Sequence, residues 1–155
     1  MKLRNATKSD AQQVGIVLKE CYNIESLEEG KEVFLSELKK GINYIVAEEK
    51  AKIVGITTWY MHGLHKHGLA ELDRIAVMPD ARGKGVAKML FDELKKQAKK
   101  TYAEKRHKLR KIYLLTHESN KRAQAFYEKI GMGHEATLKK HYYDNEDERV
   151  YSVFL

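Results

Sequence analysis

The chain reads as a mixed α/β domain, a central sheet flanked by helices, and three observations predict it. Apolar residues recur with helical spacing in some stretches and alternate with polar ones in others, in the order β-α-α-β-β-β-α-β-α-β-β. No repeat, low-complexity linker or proline-rich segment breaks that order, and the one proline is Pro79. At 155 residues with 43% hydrophobic content the chain has the size of one domain with a proper core, here residues 1–155.

The elements follow in sequence. Lys2–Asn5 is a short first strand. Thr7 or Ser9 can cap a helix that carries Ala11, Val14, Val17, Leu18 and Cys21 on one side. A second helix runs from about Ser26 with Val33, Phe34 and Leu38 as apolar positions, and closes near Gly41. Tyr44–Glu48 and Lys52–Met61 are strands joined by a charged turn, hence a hairpin. Leu69–Met78 is the next strand and Gly85–Thr101 the helix after it. Ile112–Thr116 is a short apolar strand, and Asn120–Ile130 a helix with Ala123, Phe126, Tyr127 and Ile130 on one face, ending at Gly131. His134–Tyr142 and Arg149–Phe154 are strands on either side of an acidic turn, Asp144–Glu148.

Composition removes several classes of function. One cysteine, Cys21, excludes an intramolecular disulfide framework and suits a reducing compartment. No apolar run approaches the ~20 residues of a membrane span, and the N-terminus lacks a signal-peptide core, so a cytoplasmic protein without a membrane partner is expected. The net charge of +7 owes much to Lys95–Lys111, where lysines stand opposite Leu90, Phe91, Leu94 and Ala98. That is the spacing of a solvated helix face, and no aromatic interleaving or zinc-finger motif accompanies it. A nucleic-acid partner is therefore not expected.

Chemistry concentrates in Ala70–Leu90. An alternating run stops at Met78-Pro79-Asp80, turns through Arg82-Gly83-Lys84-Gly85, and continues as a helix. Strand, glycine-rich turn and helix start present backbone N–H groups and a positive helix end to an anion, so this is a phosphate cradle. It is not a Walker loop, because Gly85 is followed by Val86-Ala87 and no hydroxyl is available for magnesium. It is not the dinucleotide fingerprint either, because the third glycine is replaced by Lys88.

Arg82-Gly83-Lys84-Gly85-Val86-Ala87 resembles the (Arg/Gln)-x-x-Gly-x-(Gly/Ala) signature of the Gcn5-related N-acetyltransferases. Downstream, Ser119-Asn120-x-x-Ala123-x-x-Phe126-Tyr127-x-x-x-Gly131-Met132 resembles that family's second signature, with Met132 where phenylalanine is usual. Both appear in the family's order, and the resemblance covers essentially the whole chain. It implies the acyl-CoA N-acyltransferase fold and acetyl-CoA as co-substrate, with no metal. It also implies that Arg82, Gly83, Lys84, Gly85, Val86 and Ala87 bind the pyrophosphate, and that Ile75, Ala76 and Val77 pair with the pantetheine arm as an added strand would. In the family the strand ending near Val77 and the one carrying Leu115 splay apart to receive that arm. Asn120 is implied to bond the arm or an active-site water.

Acetyl transfer needs a neutral amine, hence a base. Glu71, Asp73, Ile75 and Val77 share one strand face. Glu71 aligns with the glutamate base of the family's histone-acetylating members and is the first candidate. Asp73 is its alternative or partner. The plainer reading of both is a charged residue on a half-exposed strand. Bacterial ribosomal-protein N-terminal acetyltransferases carry a glutamate five residues before the asparagine, where this chain has Leu115. His117, on the same face, can relay protons or simply end the strand in solvent. Tyr127 matches the family tyrosine that protonates the departing thiolate; otherwise it packs beside Phe126. His62, His65 and His67 lie in a glycine-containing stretch, Met61–Gly68, without the carboxylate or cysteine partners of a metal site, and a flexible hairpin loop is expected there.

For the acceptor, the first interhelical loop offers Glu25, Glu28 and Glu29, and the last hairpin offers Tyr142, Tyr143, Asp144, Glu146 and Asp147. Acids draw a cationic amine and aromatics pack its stem. Lys139-Lys140-His141-Tyr142-Tyr143 followed by Glu146-Asp147 resembles the tail of protein N-terminal acetyltransferases. The expectation is a primary amine of protein, α-amine or lysine, ahead of a polyamine, an aminoglycoside or another small amine. Rival expectations are a non-catalytic CoA-binding module and a nucleic-acid binder using the lysine face. Monomer and homodimer are both open.

Overall fold

A computed structural model describes residues 1–155. Its strands are β1 (Lys2–Asn5), β2 (Asn43–Glu49), β3 (Lys52–His62), β4 (Leu69–Val77), β5 (Lys111–His117), β6 (Gly133–Tyr143) and β7 (Glu146–Phe154). Its helices are α1 (Ala11–Cys21), α2 (Leu27–Lys39), α3 (Val86–Glu104) and α4 (Lys121–Lys129). They form a seven-stranded mixed sheet, order β1-β2-β3-β4-β5-β7-β6, with four helices, so the expected fold class holds. The chain divides into two compact units, Met1–Tyr60 with Arg74–Ala98 and Met61–Asp73 with Lys99–Leu155. No helix is long and apolar enough to cross a membrane.

The first unit is built on the expected hairpin: β2 and β3 pair antiparallel, and β1 pairs antiparallel with β2. Val14, Val17 and Leu18 of α1 and Phe34 of α2 pack with Tyr44, Val46, Ile53, Ile56 and Ala76 into a continuous core. Two glycines set how closely α1 and α2 approach. A Cβ on Gly30 would stand 2.7 Å from the Gly15 carbonyl oxygen, a separation no side chain tolerates. The start of α1 departs from expectation. A 3-10 turn, Lys8–Asp10, precedes the helix; Thr7 is the N-cap of that turn, with the Asp10 carboxylate as the reciprocal half of its capping box, and Asp10 itself occupies the N-cap position of α1. Asp10 accepts the Thr7 N–H at 2.7 Å and both Arg4 guanidinium NH groups at 2.8 and 2.9 Å. The Arg4 hydrogen bonds hold the Asp10 pKa below the ordinary carboxylate value, against the cost of burial. α2 starts where expected: the Ser26 hydroxyl caps it by accepting the Glu29 N–H, and the Glu29 carboxylate accepts the Glu25 N–H at 2.9 Å.

In the second unit β5 pairs antiparallel with β7, and β7 with β6. Ile112 and Leu114 are buried, as are Tyr102, Tyr127, Met132 and Tyr151. Met132 is thus a core residue, and the exchange from phenylalanine keeps its apolar role. The last strand begins at Glu146 rather than Arg149, so the turn shrinks to Asp144 and Asn145. Its three acids read as turn residues in the sequence, but each is satisfied within the sheet or its flank. Glu146 accepts from the Ser119 N–H at 2.9 Å, Asp147 from the Lys140 N–H at 2.9 Å, and Glu148 bonds His117. Met61–Gly68 is likewise shorter than a free loop. β3 runs to His62, and a 3-10 turn at His65–His67 is closed by Leu64 N–H on His67 Nδ1 (3.1 Å) and Arg110 Nε on the His67 carbonyl (2.8 Å).

Candidate active site

The glycine-rich loop read as a phosphate cradle belongs to the first unit. β4 ends at Val77, a short 3-10 turn at Pro79–Ala81 reverses the chain, and α3 starts at Val86. Gly83 and Gly85 sit at φ +78° and +79°, a region glycine enters without the steric cost other residues meet, and an added Cβ at either would find open space. The loop therefore offers backbone to whatever approaches. The first N–H groups of the 19-residue α3 have no partner within the helix and carry its positive end. Arg82 folds back, its Nε donating to the Val77 carbonyl at 2.9 Å. The Ile75 carbonyl accepts the Tyr22 hydroxyl at 3.2 Å. These two β4 carbonyls thus hold side-chain donors, as strand-edge acceptors do where no strand covers them. Cys21 lies beside Val77, Sγ 3.8 Å from its carbonyl oxygen, with its thiol pKa raised chiefly by burial.

The acids belong to the second unit. Parallel pairing of β4 with β5 covers Leu69↔Lys111, Ala70↔Ile112 and Glu71↔Tyr113, although β5 continues to His117. That last pair sets Tyr113 beside Glu71, and the phenol donates to the carboxylate at 2.9 Å. Burial, then Glu71, push the Tyr113 pKa up, so the phenol keeps its proton. His62 Nε2 is 3.9 Å from the same carboxylate, and the Glu71 side chain is 14% exposed. Asp73 is exposed two residues on. Tyr142 on β6 feels Glu148, Glu71 and Asp73 together; burial and then these three carboxylates raise its pKa. Glu148 bonds His117 Nδ1, and the His117 ring lies 6.0 Å from that of Tyr143.

Tyr127 lies in α4. It is buried against Phe126 and Tyr151, ring centroids at 5.6 and 5.9 Å, and burial pushes its phenol up to about 12. Asn120 is the N-cap of α4, its Oδ1 accepting the Ala123 N–H at 3.1 Å, a local role that the Asn-x-x-Ala spacing itself encodes. Of the expected acceptor residues, Tyr142 and Tyr143 join the acid group. Glu25 and Glu28 lie at the start of α2 in the first unit, both exposed, with Glu28 3.5 Å from Lys31. Three residues of the acid group escape a reading of the sequence in those roles: Tyr113, Glu148 and His62. Strand register brings Tyr113 and Glu148 to their partners, and period-2 alternation alone does not disclose register.

The sequence profile of the acetyltransferase (GNAT) family matches residues 11–132, which include the cradle, both acids of β4 and Tyr127. The chain belongs to that family. As a GNAT acetyltransferase it takes its acyl group from acetyl-CoA. Solved structures agree on the fold. A ribosomal-protein-alanine N-acetyltransferase from Brucella melitensis superposes with a TM-score of 0.77 at 20% identity, over 100% of both chains. The ribosomal-protein-S18-alanine N-acetyltransferase of Escherichia coli gives 0.78 at 17% identity, over 99% of this chain and 92% of that one. A chimera of the Vibrio cholerae spermidine N-acetyltransferase and hSSAT gives 0.78 at 23% identity, over 99% and 96%. No curated protein sequence matches significantly. The cradle of this acetyltransferase suits a diphosphate on its own evidence: two positive-φ glycines with open space above them, unpartnered helix N–H groups, and the cations of Arg82 and Lys84.

Proposed function

We propose that residues 1–155 work as one N-acetyltransferase domain that acetylates a primary amine, a protein α-amine or lysine first. The observation that carries this reading is the carboxylate of Glu71, little exposed, oriented by Tyr113 and grouped with Tyr142, Asp73 and Glu148. Acids draw the ammonium, and the aromatic rings of Tyr142 and Tyr143 give its carbon stem a surface to pack on.

Each residue then has a task. Backbone N–H groups of Arg82–Ala87 hold the pyrophosphate of acetyl-CoA, and the backbone of Ile75, Ala76 and Val77 pairs with its pantetheine arm. Asn120 adds a polar contact through its amide. Acetyl-CoA supplies the acyl group already activated as a thioester. Glu71 takes a proton from the acceptor ammonium, directly or through water, with Asp73 and His117 as auxiliaries. Tyr127 returns a proton to the departing sulfur. A phenol raised to about 12 stays protonated at every working pH, which suits an acid. Glu25 and Glu28 serve as outlying attraction for a cationic substrate. The lone cysteine suits a cytoplasmic setting.

A second reading, a polyamine acceptor, is favoured by the three carboxylates that share Tyr142, since a polycation can satisfy more than one. Release of free thiol from acetyl-CoA, followed over a panel of unblocked peptides, N-terminally blocked lysine peptides, polyamines and aminoglycosides, decides between them. Peptide turnover well above polyamine turnover is expected. Acetyl-CoA binding with no turnover of any amine would replace the reading with a non-catalytic CoA-binding module.

A further inference from the structure

Glu148 is 1% exposed, and burying a carboxylate so completely is costly unless a specific partner satisfies it. Its partner is the residue directly across the β5–β7 ladder, His117, through Nδ1. The His117 side chain is 46% exposed, so the imidazole has one edge on a buried acid and the rest of the ring open. An ionised carboxylate only accepts hydrogen bonds. Nδ1 must therefore carry the proton, and in the neutral ring Nε2 keeps its lone pair. The same carboxylate acts electrostatically on Tyr142 together with Glu71 and Asp73, and Tyr143 flanks the His117 ring at 6.0 Å between centroids. The pair thus belongs to the acid group around Glu71.

We propose that Glu148 is a positioning residue that fixes the tautomer of His117, and that His117 Nε2 is a second proton acceptor for the reacting amine. The inference rests on the amine-acetylation reading above. The chemistry has room for two acceptors. The acceptor nitrogen arrives as R–NH3+ and ends as an amide N–H, so it loses two protons while the C–N bond forms and the C–S bond breaks. Glu71 takes the first, before attack, and His117 Nε2 takes the second, as the adduct collapses. The sulfur leaves with its electron pair and receives one proton from Tyr127, which is refilled from these two. One proton goes to solvent.

Two measurements test this. Imidazole 15N shifts of wild-type protein, with His117 assigned by its loss in His117→Gln, are read where the ring is neutral. They require no turnover and so stay informative if the amine reading fails. A protonated Nδ1 is expected in wild type, with a tautomer mixture in Glu148→Gln; a protonated Nε2 in wild type overturns the proposal. Kinetics with an amine from the panel supply the second arm. Glu148→Gln and His117→Gln should each lower kcat about tenfold without changing the KM for acetyl-CoA, and the double variant should lose no more than either single one. Equal losses that multiply in the double variant, or wild-type kcat in His117→Gln, would overturn it. Should Glu148→Gln not fold, the wild-type shifts and His117→Gln still decide.

Discussion

The phosphate loop of the first unit and the acid group of the second differ in how the chain assembles them. The loop is one contiguous stretch, Arg82–Ala87, whose proposed role rests on backbone conformation: two glycines at positive φ and the open end of a helix. The acid group gathers Glu71 from β4, Tyr113 and His117 from β5, Tyr142 from β6 and Glu148 from β7. Its proposed role rests on side chains that only sheet register brings together. A contiguous backbone site tolerates change in side chains but not in dihedral freedom. A discontinuous side-chain site behaves the other way round.

Substitutions can separate the two. The largest effect is expected from Glu71→Gln, which keeps the shape and the Tyr113 hydrogen bond but removes the base. At neutral pH, kcat/KM for the amine should fall about 100-fold, and the gap should close as pH rises and the amine loses its proton unaided. A pH-rate profile checks this, and a gap that stays constant across the whole range would remove Glu71 from the mechanism. Gly85→Ala should act on the donor alone. An added Cβ meets nothing, so only the positive φ resists it, at a cost of about 1–2 kcal/mol. The acetyl-CoA KM should rise about tenfold with the amine KM unmoved, as bisubstrate kinetics would record. A shift of both KM values would break the distinction between the two regions.

Asp10→Asn gives the smallest change in activity and serves as the contrast, since Asp10 belongs to neither site. Arg4 holds the Asp10 pKa below its unfolded value, so the ionised pair stabilises the fold above that unfolded value. This contribution is lost as pH falls through the folded value, because the unfolded chain then binds the extra proton. Urea titrations should put the variant about 1 kcal/mol below wild type at pH 7, with the difference fading in strong acid and both KM values unchanged.

How far each region could be read from the sequence follows the same division. Arg82–Ala87 and Asn120–Met132 are local patterns, and the helix starts they imply are where the structure has them. Glu71 was legible as a candidate because strand alternation places it on a face with Asp73, Ile75 and Val77 and because it aligns with the glutamate base of the family's histone-acetylating members. Its partner Tyr113 was not, because nothing in either strand says which residue lies opposite. Glu148 was misread as part of a turn, since three acids within Glu146–Arg149 look solvated until each is seen to meet a specific donor. The Asp10 half of the Thr7 capping box was hidden for the same reason: the Arg4 donors that satisfy it come from another element.

By itself, then, the sequence determined the order of elements and the family, and marked Arg82–Ala87 as the candidate donor loop, because periodicity, glycine placement and capping act over a few neighbouring residues. The tertiary structure alone decided that Glu71 is held by Tyr113 and that a buried Glu148 faces His117. Those contacts depend on strand register, a sum of many weak packing terms distributed along the chain, and no short stretch of residues records it.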